Sequence, residues 1–240
     1  MGRFLRFSGI CVLLLVLFLF GVTRAAAQDA TQAAGAAMTA TDVCNQAMTS
    51  ATPVADSAEL PADASFDLAF IDLMIVHHLR AMAMATIALE RGEHPELVEL
   101  AQRTEDTLRG QIEQLETWRE LWYPGMPALS DSQAMALFDQ VAAESPGRGG
   151  VPGARELTTP PDIMGLCGAK PGEFDLAFIN RMTGLHAGAL LLTQAAVSFA
   201  EHAEIQNFAA ATLAALQSDV DALNAWRVLW FPDATPANLD

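Results

Sequence analysis

The chain carries one segment twice. Residues 66–124 return at 174–232 at a constant offset of 108, without a gap, with about 22 identities in 59 positions. Phe66-Asp67-Leu68-Ala69-Phe70-Ile71 comes back as Phe174-Asp175-Leu176-Ala177-Phe178-Ile179. Leu115, Trp118, Arg119, Leu121, Trp122 and Pro124 come back as Leu223, Trp226, Arg227, Leu229, Trp230 and Pro232. A repeat this long reads as one folding unit made twice. Whatever both copies keep is shared core or shared site. The kept set includes Asp67/Asp175, Met74/Met182, His78/His186 and His94/His202.

Within each copy the apolar residues recur at three- and four-residue steps, the mark of an amphipathic helix. Phe66, Phe70, Ile71, Met74, His78, Ala81, Met82 and Ala85 form one stripe. Ser65 or Asp63 can cap its start. Gly92 ends it, and Pro95 opens a second helix at a first-turn position where a missing N–H costs little. Leu97, Leu100, Ala101, Leu108, Ile112, Leu115, Trp118 and Trp122 form the second stripe, stopped by Pro124-Gly125. The second copy predicts helices near 173–200 and 203–230. Each hairpin leaves an apolar stripe uncovered, and two hairpins can bury their stripes against each other. The expectation is an all-α, ferritin-like four-helix bundle with a pseudo-twofold axis between the copies.

The flanking segments read differently. Arg3 and Arg6, an apolar run from Ile10 to Phe20 and Ala25-Ala26-Ala27 fit a removable export leader over 1–27. Residues 28–62 lack sustained periodicity and are expected to form a loose arm. The hairpin repeats occupy 63–124 and 173–232. The linker, 125–172, has a short helix predicted from Ser130 to Ala143, and 233–240 is a tail. Without Cys11, Cys44 and Cys167 remain, and two thiols in an exported chain predict one disulfide. With 29 acidic against 13 basic residues the formal charge is −16, a surface that repels nucleic acid and anionic lipid. No stable membrane insertion is expected once the leader is gone, and the localisation expected is extracytoplasmic.

The chemistry concentrates on one helical face. Each helical residue advances about 100°. With Asp67 at zero, Met74 falls at about −20°, His78 at about +20° and Met82 at about +60°. His77 falls at about −80°, on the flank. The second copy has Leu185 at its place. If the pseudo-axis passes between the first and third helices, Met74, His78, Met182 and His186 converge. Two imidazoles and two thioethers suit a soft or borderline ion, with copper, Cu(I) especially, as first candidate. The competing reading makes the same residues a polar core, with Asp67 or Asp175 bonded to the histidines and Met as filler. His94 and His202 read as turn residues. No Glu-x-x-His, P-loop, Gly-x-Ser-x-Gly or His-Glu-x-x-His occurs, so no enzyme is predicted.

Phe70-Ile71-Asp72-Leu73-Met74-Ile75-Val76-His77-His78, followed by Ala81 and Met84, resembles the signature of the domain of unknown function 305 family. Leu89-Glu90-Arg91-Gly92, Ile112 and Trp118 fit its second half. The likeness is strong over 63–124 and weaker over 172–232. It implies a ferritin-like helical bundle, generally exported, in a family with members implicated in copper binding and tolerance. It carries ligand roles to Met74, His77, His78 and Met84. The chain departs from the family pattern on the second helix, where it has Leu108, Gln111 and Leu115, and at the equivalent Leu216, Asp219 and Leu223. The metal set expected is therefore His78, His186, Met74 and Met182, with His77 and Met84 as accessories and Asp67 and Asp175 behind them. The protein should hold or buffer copper; the alternative is a structural or interaction module without metal.

Overall fold

In a computed structural model of the chain, residues 38–49, 60–61, 63–144 and 163–234 are described. The leader expected over 1–27 lies outside them, as do most of the tail and the Gly/Pro-rich part of the linker. Among the described residues every regular element is a helix: α1 (Ala40–Thr49), α2 (Phe66–Arg91), α3 (Pro95–Trp122), α4 (Asp131–Glu144), α5 (Ile163–Gly168), α6 (Phe174–Phe199) and α7 (Ala203–Trp230).

The four long helices make the bundle. α2 and α6 have 26 residues each, α3 and α7 have 28, so the two repeated segments build hairpins of equal dimensions. Ser65 caps α2 by accepting a hydrogen bond from the Leu68 N–H at 3.2 Å, satisfying one of the free amides of the first turn. Gly92 closes the helix in extended conformation, its N–H donating to Ala88 O at 2.8 Å. Pro95 then occupies the first turn of α3, where its fixed φ is already helical.

α2 and α6 pack against each other and run antiparallel: residues from the start of α2 share a core cluster with Leu192, Ala195 and Ala196 at the end of α6. The other cluster joins Ala81, Met84, Ala85 and Ile87 to Phe174 and Phe178 at the start of α6. α3 and α7 lie outside, each burying a single stripe: Leu97, Leu100, Ala101, Thr104 and Leu115 on one, Ile205, Ala209, Thr212, Leu216 and Leu223 on the other. A helix buried on one side alternates apolar and polar residues, whereas a central one is apolar over most of its circumference. Phe66 through Met74 are buried without interruption. α2 and α6 are long and apolar enough to cross a bilayer, yet 67% and 50% of their most apolar windows are already buried within the protein.

The short helices cover the two ends of the central pair. α4 lies on α2, with Phe138 against Phe66 at 4.5 Å between ring centroids, inside the linker where a helix is expected. α1 and α5 cover the other cluster with Ala40, Val43 and Leu166. α1 corrects the expectation of a loose arm over 28–62. Its apolar contacts, Ala40 and Val43, are three residues apart, too few turns for periodicity to register. The six-residue α5 is a further addition to the expected elements. A disulfide joins Cys44 of α1 to Cys167 of α5, with Cα atoms 5.8 Å apart, as the cysteine count predicts.

Candidate metal centre

Between the two core clusters, at the middle of all four long helices, the packing opens into a cavity of about 260 Å³. His77 and His78 reach it from α2, His186 from α6, Thr104 and Gln111 from α3, and Thr212 and Asp219 from α7. His78 and His186 occupy equivalent positions of the repeat, and antiparallel packing of α2 on α6 brings equivalent mid-helix positions opposite each other. The convergence expected for these two imidazoles is what the fold produces.

His77 also belongs here, which corrects its placement on the flank. It is 7% exposed, and its ring centroid lies 5.6 Å from His78 and 5.9 Å from His186. The step of about 100° between neighbours turns His77 away from the α2 stripe, but α6 stands on that side as well. The flank at His77 is covered rather than wet.

The methionines are corrected in the other direction. Met74, Met84 and Met182 are buried to 1% exposure or less, but they sit in the two packed clusters above and below the cavity rather than on its wall. Met74 shares the angular sector of His78 but lies four residues away, about 6 Å along the axis. That offset moves it from the cavity into the apolar layer.

Asp67 and Asp175 do not support these histidines. Eleven residues separate Asp67 from His78, about 16 Å of helix. The Asp67 carboxylate instead accepts hydrogen bonds from the N–H groups of Glu201 at 3.0 Å and His202 at 2.9 Å, and its Oδ2 lies 2.7 Å from His202 Nδ1. Asp175 does the same for Glu93 at 3.0 Å, His94 at 2.9 Å and His94 Nδ1 at 2.6 Å. Each carboxylate therefore caps the outer helix of the opposite hairpin. His94 stacks on Trp230 at 3.8 Å and His202 on Trp122 at 3.9 Å, again across hairpins. The turn role expected for these two histidines is what they fill.

The cavity histidines have unusual surroundings. Neither ring nitrogen of His78, nor Nδ1 of His186, has a hydrogen-bond partner, and Thr212 Oγ1 and Gln111 Oε1 are in the same condition. His186 Nε2 stands 3.9 Å from Asp219 Oδ2, beyond hydrogen-bond reach. Burial holds His78 and His186 down at about 4, an effect that the Gln111 side chain, close to the His78 ring but outside hydrogen-bond geometry, partly offsets for His78. Burial, with the charges of His78, His186 and Arg80, pushes His77 well below its ordinary value. Burial pushes the Asp219 carboxyl up, and Arg103 at the mouth partly opposes it. Near neutral pH the three imidazoles are accordingly uncharged, the form that ligates metals.

These donors fit an ion in kind: neutral imidazoles, lone pairs without partners and a carboxylate at the edge. Among the described residues, no three His, Cys, Asp or Glu side chains already stand at ligand spacing, so closing on an ion needs side-chain movement. Gln111 and Asp219 enter the sequence reading only as departures from a family pattern. A second signal marks them: the apolar stripes of α3 and α7 are both interrupted mid-helix, by Thr104 and Gln111 and by Thr212 and Asp219, at equivalent positions opposite the histidines.

The family described as Domain of unknown function (DUF305) matches residues 67–227 as one stretch spanning both hairpins. The chain belongs to the DUF305 family. No curated protein matches it. Among solved structures it is similar to CopM in the Cu(I)-bound form, at 23% identity and a TM-score of 0.53, over 69% of this chain and 97% of that one. CopM in the Cu(II)-bound form gives 24% identity, a TM-score of 0.53 and the same 69% and 97% coverage. A DUF305 protein from Streptomyces coelicolor gives 21% identity and a TM-score of 0.55, over 66% of this chain and 90% of that one. At these identities the likeness is one of fold. A DUF305 helical bundle is thus what this chain forms.

Proposed function

We propose that this protein is an exported, non-enzymatic copper-binding or copper-buffering bundle, holding the ion in its central cavity through His77, His78 and His186. The observation that carries the reading is the group of buried imidazole nitrogens without partners around one cavity. A buried polar atom left unbonded costs about 1–3 kcal/mol. A purely structural core has no reason to keep several of them together, whereas an ion can take one nitrogen from each imidazole. The fold likeness to CopM, solved with Cu(I), Cu(II) and silver, supports copper as the ion to try first. The methionines of the core clusters support the layers around the cavity.

The test is a copper titration of the purified protein beside a His78→Ala, His186→Ala variant. The variant is expected to lose affinity by more than the roughly 10–100-fold that loss of outer-shell partners alone produces. Copper should raise the melting temperature of the parent and not of the variant, because a ligand specific for the folded state stabilises it. Equal affinity in the two proteins would sink the proposal.

A further inference from the structure

The two copies face the cavity with different side chains at several positions, and one of these differences bears on what the cavity can hold. Position 111 of α3 and position 219 of α7 are equivalents, 108 apart. Each stands opposite the histidine of its own hairpin. Gln111 is neutral. Asp219 is the one carboxylate on the described wall of the cavity. Its Oδ2 lies 3.9 Å from His186 Nε2, with no hydrogen bond joining them. Two nitrogen and oxygen ligands at about 2.0–2.2 Å from one tetrahedral ion stand roughly 3.3 Å apart, so less than about 1 Å of approach brings this pair to ligand spacing. Asp219 is half-buried, its side chain 32% exposed, which leaves it room for that movement.

We propose that Asp219 supplies a carboxylate oxygen to the ion held by His77, His78 and His186, and so makes the centre selective for divalent copper over Cu(I). The inference rests on the copper reading above and adds the identity of the fourth donor and the oxidation state. Three neutral imidazoles and a carboxylate form a borderline-to-hard, singly negative set. Such donors suit Cu(II), and Zn(II) after it, whereas Cu(I) prefers thioether and thiolate sulfur. The sulfur that the sequence offered is elsewhere: Met74 lies in one core cluster, Met84 and Met182 in the other. This reverses the preference for Cu(I) that the His–Met spacing suggested. Arg103, the cation at the mouth, pairs with Glu99 at 3.0 Å and also favours the charged form of Asp219.

The experiment measures Cu(II), Cu(I) and Zn(II) affinities separately, Cu(I) under anaerobic conditions with a competing chromophoric chelator. The proteins are the parent, Asp219→Asn, and Asp221→Asn as a control acid on the exposed side of α7. Asp219→Asn keeps the shape of the side chain, and a thermal melt without metal checks that it folds. The parent is expected to bind Cu(II) more tightly than Cu(I). Asp219→Asn should lose about tenfold or more for Cu(II), much less for Cu(I), and alter the Cu(II) electron paramagnetic resonance spectrum. The control should match the parent. If Asp219→Asn matches the parent for Cu(II) in affinity and spectrum, or loses both oxidation states equally, the ligand assignment is overturned while copper binding stands. A parent that binds neither oxidation state overturns both readings.

Discussion

His78 shows how a single residue can oppose the fold that contains it. It is 1% exposed, with both ring nitrogens unbonded, and His186 is nearly its mirror. Without a ligand these side chains weaken the bundle, and they do so most in acid. In the unfolded chain each imidazole titrates near 6.5. In the folded protein His78 and His186 titrate at about 4, and His77 is also lowered. Above 6.5 both states are neutral and their contribution to stability is unaffected by pH. As pH falls from 6.5 towards 4 the unfolded chain takes up protons that the folded one does not, so stability falls. For each of His78 and His186 the full effect is on the order of 3 kcal/mol. Urea unfolding of chelator-treated protein should therefore give a steep loss between about pH 6.5 and pH 4. A His78→Leu, His186→Leu variant should flatten that slope and, near pH 7, be no less stable than the parent, since apolar replacement removes unsatisfied groups. An unchanged slope would show that these histidines are solvated or bonded in the protein.

At the scale of elements, the carboxylates that cap across hairpins do the joining. Asp67 is 1% exposed and Asp175 2%, and each ties an inner helix to the turn of the other hairpin. Asp67→Ala leaves the Glu201 and His202 amides without an acceptor, and should cost about 2–4 kcal/mol by denaturant unfolding. Asp67→Asn keeps one carbonyl oxygen and should cost less. A loss below about 0.5 kcal/mol for Asp67→Ala would mean that water replaces the carboxylate freely. These elements were legible in the sequence because helix stripes, Ser65 and Pro95 are local signals. The observed ends of the four long helices lie within one residue of those expected. The histidines were legible too, because both copies keep position 78. The placement of Met74, Met182, Asp67 and Asp175 was not. An angular projection gives the direction of a side chain but not the layer it reaches, and four residues along the axis separate cavity from core. The cross-hairpin partners of Asp67, 134 and 135 residues distant, depend on tertiary packing that no local pattern encodes.

Over the whole molecule the four long helices repeat around the cavity, whereas their covers do not. The start of α2 is covered by α4, from the linker; the start of α6 is covered by α1 and α5, from the arm and the linker. The second cover is fastened by several ties. Glu90 accepts a hydrogen bond from the Ala40 N–H at 2.8 Å. Arg91 donates to the carbonyls of Leu166 at 2.7 Å and Cys167 at 2.9 Å, and lies over the Phe174 ring at 4.9 Å. The disulfide adds a cross-link between residues 123 apart in sequence. A loop of that length restricts the unfolded chain by up to about 5 kcal/mol in the chain-entropy account. Yet α1 and α5 contribute nothing to the described cavity wall, which comes from α2, α3, α6 and α7. Stability and metal affinity should therefore separate. Reduction, or Cys44→Ser with Cys167→Ser, should lower the melting temperature clearly while changing copper affinity by less than about threefold, or under about 1 kcal/mol. If affinity falls in step with stability, the cover holds the central helices at their working spacing, and the cavity is not the self-contained product of two hairpins that its lining indicates.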